Sequence, residues 1–292
     1  MNWPLFFAFL SPSIWALMNF IDSWIVKKRV KNTVSFAVVS GITNIFLGIM
    51  LALFLDWSNY SLFDFRFSII VGAMLGLQLY FYYTILSRHD VSHVVGLIYA
   101  YPLVVAFLSF LFLNEKLSLI GYFGAFVTIL GIFMMTLRIR KLNLALASGP
   151  IFIVMLTSAF SEFFIKITTT QIPVWHNTAI TSIVLGMCIL PALLKTSIRK
   201  DFKNEFKKIH FTFISEMLTL GAITLVYLAM VGLPATIVSV ISTTQPLFVL
   251  IFEWVAFFFG VKMVKDIDWK HKIFAISLVV IGIVIMYGKE IV

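Results

Sequence analysis

The chain has 292 residues, of which 61% are hydrophobic and only 12% charged, against about 45–50% and about 25% in a soluble domain. With a mean hydropathy of +1.03 it cannot cover itself with water-facing surface, so a bilayer has to supply the surroundings. The net charge of +9 does not indicate nucleic acid, because the basic residues sit in short clusters between apolar runs and form no continuous face.

Apolar stretches of about 20 residues predict ten membrane-spanning helices, at 5–26, 34–55, 67–87, 91–113, 118–137, 144–167, 175–195, 211–231, 234–258 and 271–288. The first has no basic region before it and no small-residue cleavage site after it, so it reads as a retained span and not a signal peptide. The linkers are too short for domains; the longest, Lys195 to His210, reads as an amphipathic or solvated surface loop. Lys and Arg crowd onto alternate loops, from the Lys27–Lys31 cluster to Lys270 and Lys272 on one side, with only Arg66, Lys116 and Lys289 on the other. Cytoplasmic loops carry such an excess, which puts both termini outside a cytoplasmic (inner) membrane. Cys188, the single cysteine, excludes an intrachain disulfide and a Cys-based metal cluster and reads as a packed thiol.

Polar residues inside the spans are the candidates for function. In helix 1, Trp15, Asn19 and Asp22 fall at i, i+4 and i+7 on one face, and an ionisable group within a span costs about 2.5–3.5 kcal/mol unless it meets a cavity or a partner. Helix 3 brings Tyr80, Tyr82 and Tyr83, and helix 4 brings Tyr99 and Tyr101 just before Pro102. In helix 6, Glu162 and Lys166 stand at i and i+4, with the acid first. Lys166 has two partners open to it, Glu162 in its own helix or Asp22 across the bundle; an Asp22 left without a partner reads either as a proton-coupling group or as an acid hydrated near the interface beside the Lys27–Lys31 cluster. Glu216, near the start of helix 8, reads as a hydrated helix-end residue, whereas Tyr227 lies deep in the same span. Helix 9 carries Thr243, Thr244 and Gln245 before Pro246, then Glu253 on the proline's face as a candidate cavity wall. Each proline removes a backbone hydrogen bond, near Ile98 and Ser242 respectively, and marks a candidate hinge. Trp15, Tyr80, Tyr82, Tyr83 and Tyr227 are candidates to stack on a cationic or aromatic solute, although packing is the commoner fate of such rings.

An offset of 144 residues carries Tyr83 to Tyr227, Pro102 to Pro246 and Leu103 to Leu247; with seven more residues in the last loop, Gly131-Ile132 maps to Gly282-Ile283 and Met135 to Met286. The same offset places Lys166 opposite Asp22. A repeat of five helices enters the bilayer from the opposite side the second time, giving a pseudo-two-fold axis in the membrane plane. The sequence contains no phosphate loop, no His-Glu-x-x-His, no Gly-x-Ser-x-Gly and no Asp-rich magnesium motif, which disfavours an ATP-driven pump and an enzyme. No cofactor or metal is expected.

Trp15-Ala16-Leu17-Met18-Asn19-Phe20, the Tyr83 to Pro102 block, and Tyr101-Pro102-Leu103 leading to Leu113-Asn114-Glu115-Lys116-Leu117 together resemble the EamA-like ten-helix branch of the drug/metabolite transporter superfamily. Gly121, Gly131, Gln245-Pro246-Leu247 and Gly282 fit the same pattern. The chain departs from it at the end of helix 9, where Phe257 to Lys262 has no glutamate like Glu115, and at Asp22-Ser23, where many relatives carry a base. The resemblance implies two inverted five-helix repeats, residues 1–141 and 142–292, around a cavity lined mainly by helices 1, 3, 4, 6, 8 and 9.

The expected function is a secondary transporter, an exporter that is proton-coupled or an exchanger, acting on a small polar or amphipathic metabolite. A flippase for a lipid-linked carrier and a membrane-embedded enzyme or accessory subunit are the rivals. Partners are the small-molecule substrate, protons and the bilayer, with a monomer or homodimer as the assembly.

Overall fold

A computed structural model describes residues 2–86, 98, 100–136, 144–258 and 269–290. Among them there is no strand. Helices run over Trp3–Arg29 (α1), Thr33–Ala52 (α2), Arg66–Leu86 (α3), Tyr101–Phe112 (α4), Leu119–Thr136 (α5), Leu144–Thr169 (α6), Val174–Ile189 (α7), Thr196–Phe206 (α8), Ile209–Gly232 (α9), Ala235–Ser242 (α10), Gln245–Phe258 (α11) and Trp269–Glu290 (α12). Six of them are long and apolar enough to cross a membrane, and four shorter apolar helices cover Tyr101–Phe112, Leu119–Ile132, Ala235–Val249 and Ile273–Met286. Their starts follow local chemistry. The Asn2 and Asn32 side chains accept from the amides of Leu5 and Ser35 at the openings of α1 and α2.

The helices pair in a pattern that treats the two halves alike. α5 lies along α12 and α2 along α7; α1 lies along α9 as α6 lies along α3; α3 packs on α7 as α9 packs on α2; and α4 meets α6 as α11 meets α1. Exchanging the first five apolar helices for the second five leaves these pairings unchanged. The seam between α5 and α12 shows the equivalence atom by atom. A side chain on Gly131 would meet the Ala275 carbonyl and the Val279 amide, at 2.9 and 2.8 Å, while one on Gly282 would meet the Gly124 carbonyl and the Thr128 amide, at 2.7 and 2.5 Å. Gly124 to Ala275, Thr128 to Val279 and Gly131 to Gly282 are all offsets of 151 residues. At the α2–α7 crossing, Gly41 and Gly186 each face the other's carbonyl, so the helices touch backbone to backbone.

Three features differ from the sequence expectation. The segment from 195 to 210 is no loop: α8 lies across the start of α2, where Glu205 accepts from the amides of Lys31 and Asn32, Asp201 accepts from the Asn32 side chain, and Ser35 donates to the Ile198 carbonyl. Its 11 residues put Ile198 and Glu205 on the buried face, and Lys208 neutralises Glu205 at 2.6 Å. The span expected over 234–258 is broken at Thr243-Thr244 into α10 and α11. Cys188 is exposed beside Gly76, where α7 meets α3, and is not enclosed in the core.

The break explains the prolines. Neither Pro102 nor Pro246 sits in mid-helix; each is the second residue of a helix, α4 or α11, where a missing amide costs nothing. The first turn closes the same way in both, by Leu103 N–H to the Ala100 carbonyl at 3.1 Å and Leu247 N–H to the Thr244 carbonyl at 2.8 Å. Those donors and acceptors are again 144 residues apart.

Candidate functional site

Polar side chains gather in three places inside the bundle, and α9 connects two of them. Near the start of α9, Ser215 donates to Asp22 Oδ1 at 2.6 Å, and Tyr83 donates to Asp22 Oδ2 at 3.0 Å. Three helices, α1, α3 and α9, are therefore joined through one carboxyl that is only 2% exposed. One turn earlier on α1, Asn19 Oδ1 accepts from the Tyr82 hydroxyl at 3.2 Å. Beside this cluster, Glu216 accepts from Asn44 Nδ2 at 2.6 Å, and Thr43 meets Thr212 at 2.9 Å. Glu216 is 2% exposed, which corrects its reading as a hydrated end residue: α9 begins at Ile209, so Glu216 already lies two turns inside.

The second cluster closes the other end of α9. Lys166 donates to the carbonyls of Met230 and Leu233, each at 2.8 Å, and stands 3.5 Å from Glu115 Oε1. Glu115 in turn accepts at 2.8 Å from the amide of Ala235, the first residue of α10, where the positive end of a helix favours an acid. Lys166 thus pairs with neither Glu162 nor Asp22. Glu115 is brought into place by Asn114, whose φ of 54° reverses the chain after α4, a left-handed conformation that Asn tolerates better than most residues. Burial pushes the Glu115 carboxyl above its ordinary range, and the Lys166 ammonium works against that shift. Ser215 and Met230 are 15 residues apart on α9, or about 22 Å along the helix. The two clusters therefore stand at opposite ends of one span.

The third cluster lies one turn before Lys166. Glu162 Oε1 accepts from the Tyr101 hydroxyl at 2.8 Å, and that hydroxyl also reaches the Ser239 carbonyl at 3.3 Å. Glu162 joins α6, α4 and the short helix α10. Pro102 sets the Tyr101 position by opening α4, and both residues are buried.

The remaining candidates divide. Trp15 packs against the large core cluster that includes Tyr101 and Tyr227. Tyr227 is fully buried, but its hydroxyl meets Thr181 on α7 at 2.7 Å and joins none of the three clusters. Thr243 is buried and turns its hydroxyl back to the Val240 carbonyl, while Gln245 is half-buried at the start of α11. Tyr80 packs with the cluster around Phe36 and Tyr83. Tyr99 lies outside the described residues, as does the side chain of Glu253, and so does most of the segment after α11 that lacks a glutamate. Sequence reasoning missed Ser215, Asn44 and the site role of Glu115. The first two are single polar residues in apolar helices with nothing to mark them, whereas Glu115 already stood within the Leu113 to Leu117 motif.

With this geometry in hand, the comparison with known families is decisive: the model of the EamA-like transporter family matches residues 2–137 and again residues 148–288. The chain belongs to the EamA-like transporter family. It is a multi-pass membrane protein, and the family's members are transporters. A protein of known crystal structure shares the fold, with a TM-score of 0.66 at 15% identity over 98% of this chain and 97% of that one. Among curated proteins no relative matches the chain. In this EamA-like chain the first family match ends just past α5 and the second begins within the first turns of α6, close to where the pairing of helices divides.

Proposed function

We propose that this chain is a proton-coupled secondary transporter that exports a small polar or amphipathic metabolite across the cytoplasmic membrane. Its ten spans form two inverted repeats, residues 1–141 and 142–292, with α10 and α11 together making the ninth span. The observation that carries this reading is the pair of clusters at opposite ends of α9. Asp22 and Lys166 occupy equivalent positions in the two repeats, and each fastens the end of its own span to helices of both halves. A carrier with alternating access needs two such closures, one released while the other holds.

Because Lys and Arg crowd the loops at the Asp22 end, that end faces the cytoplasm. Asp22 is the coupling residue. Its ligands are hydroxyls, which donate to a carboxylate and, after rotation, accept from a neutral acid, so protonation changes the hold on Ser215 and Tyr83 without removing their partner. Pro102 and Pro246, which open equivalent half-helices, are the hinges, and Tyr101, Glu162 and Trp15 line the centre.

Proteoliposomes carrying an internal pH dye test this directly. With a panel of amines, amino acids and nucleotides outside, wild-type protein should dissipate an imposed pH gradient for at least one solute. Asp22→Asn should leave solute exchange but abolish its dependence on the gradient; an unchanged flux with an unchanged pH dependence would remove Asp22 from the coupling role.

A further inference from the structure

We infer that Glu162 and the break between α10 and α11 form a recognition site for an ammonium group, so that the transported solute is an amine cation. The inference rests on the transporter reading above and names its substrate class.

Glu162 has one oxygen satisfied and one bare. Oε1 accepts from Tyr101 at 2.8 Å, whereas Oε2 is shielded from solvent and has no hydrogen-bond partner; the Ser242 side chain lies close to this carboxyl. A buried acceptor left unpaired costs about 1–3 kcal/mol, and more when charged. Both oxygens of Asp22, by contrast, already accept from hydroxyls.

The surroundings add negative charge. Ser242 is the last residue of α10, and a helix carries about half a negative charge at its C-terminus. Thr243 and Thr244 cover the Val240 and Ile241 carbonyls with their hydroxyls, at 2.6 and 2.7 Å. Neutral donors of this kind hold the break together but leave its charge uncompensated. The lysine one turn along α6 does not supply the balance, because the Lys166 ammonium is held by Met230, Leu233 and Glu115.

A carboxylate oxygen and a helix C-terminus converging at a helix break make a cation site, as in other carriers with interrupted spans. The ligand is an organic cation and not a bare metal ion, for two reasons. Among the described residues no three His, Cys, Asp or Glu side chains come together as metal ligands. The rest of the neighbourhood is apolar, with Tyr101 in one core cluster with Ile237, Val238 and Ile241 of α10, which suits the hydrocarbon body of an amine. An ammonium brings three donors, enough to fill Oε2 and still reach a backbone carbonyl or a hydroxyl at the break.

Phenethylamine, 2-phenylethanol and phenylacetate share one skeleton and differ in the head group, so thermal unfolding of the purified full-length protein with each of them is the test. The amine should raise the melting temperature, and the alcohol and the acid should not. Glu162→Gln should weaken the amine's half-effect concentration about tenfold or more, and Glu162→Asp should recover part of that loss. Equal effects of the three ligands, including no effect from any, overturn the inference, as does a folded Glu162→Gln protein that responds to the amine like the wild type. If Glu162→Gln does not fold, the ranking of the three ligands on the wild type decides alone. The two readings fail differently. A pH gradient dissipated only by non-amine solutes overturns the ammonium site and leaves transport standing, while amine binding without flux of any solute overturns transport and leaves the site.

Discussion

The Asp22 end and the Lys166 end of this EamA-like protein occupy equivalent places and are built from opposite chemistry. At the first, a carboxyl takes two hydroxyl donors from α3 and α9, side chain to side chain. At the second, an ammonium is held by two backbone carbonyls and by an acid that caps α10. The duplication supplied the places and the substitutions supplied an asymmetry, which a carrier needs if one end is to respond to protons and the other only to the movement of helices.

The largest effect expected from breaking this contrast is at Lys166. Lys166→Met strands Glu115 and two carbonyls and should cost about 3 kcal/mol, seen as a lower unfolding midpoint in detergent. Asp22→Asn keeps an acceptor for one hydroxyl and turns an N–H toward the other, which can accept it after rotating, so it should cost much less, about 1 kcal/mol. If the two costs came out equal, the ends would not differ as described.

The equivalence of the halves is sharpened at the seam of α5 and α12. Gly131→Ala and Gly282→Ala each press a methyl group against backbone atoms of the partner helix, and each should cost about 1–3 kcal/mol. Gly149→Ala, with nothing within 4 Å of the added carbon, should be neutral or stabilising by about 0.5 kcal/mol. Tyr83→Phe and Tyr227→Phe form a smaller matched pair, at about 1 kcal/mol each for a lost hydrogen bond; only Tyr83→Phe should alter the pH dependence of flux, since Tyr227 holds Thr181 and no acid.

The smallest effect lies outside both clusters. The backbone amide and the hydroxyl of Ser61 hold the exposed Asp64 carboxyl below its ordinary range. That group adds stability above its unfolded pKa and loses it as pH falls through the folded value. Asp64→Asn should flatten the acid side of the melting curve slightly and leave transport untouched.

Much of the fold was legible because hydropathy and duplication are properties of a chain read in order. The 144-residue offset placed Pro102 and Leu103 against residues whose structural roles match, down to the bond that closes the turn after each proline, and Tyr83 against a tyrosine as deeply buried that meets a threonine where Tyr83 meets an acid. Asp22, Tyr83, Tyr101 and Glu162 were also marked, because polar residues in apolar spans stand out. What could not be read was who meets whom. The Lys166 partner is the product of a left-handed Asn114 that swings Glu115 back under α10, a long-range geometry with no periodicity to announce it. Glu216 was misjudged by a two-residue shift in where α9 begins, enough to move a side chain from the water to the interior.

Alternating closure of the two ends is best tested without a known substrate. In a Cys188→Ser background, cysteines introduced one at a time at Thr219 and Val226, which lie on α9 one turn inside the Ser215 and Met230 ends, would be labelled in membrane vesicles by an impermeant maleimide. Adding Lys166→Met should raise the labelling rate at position 226 and lower it at position 219. Rates that rise together, or that do not change, would contradict two coupled closures at opposite ends of one span.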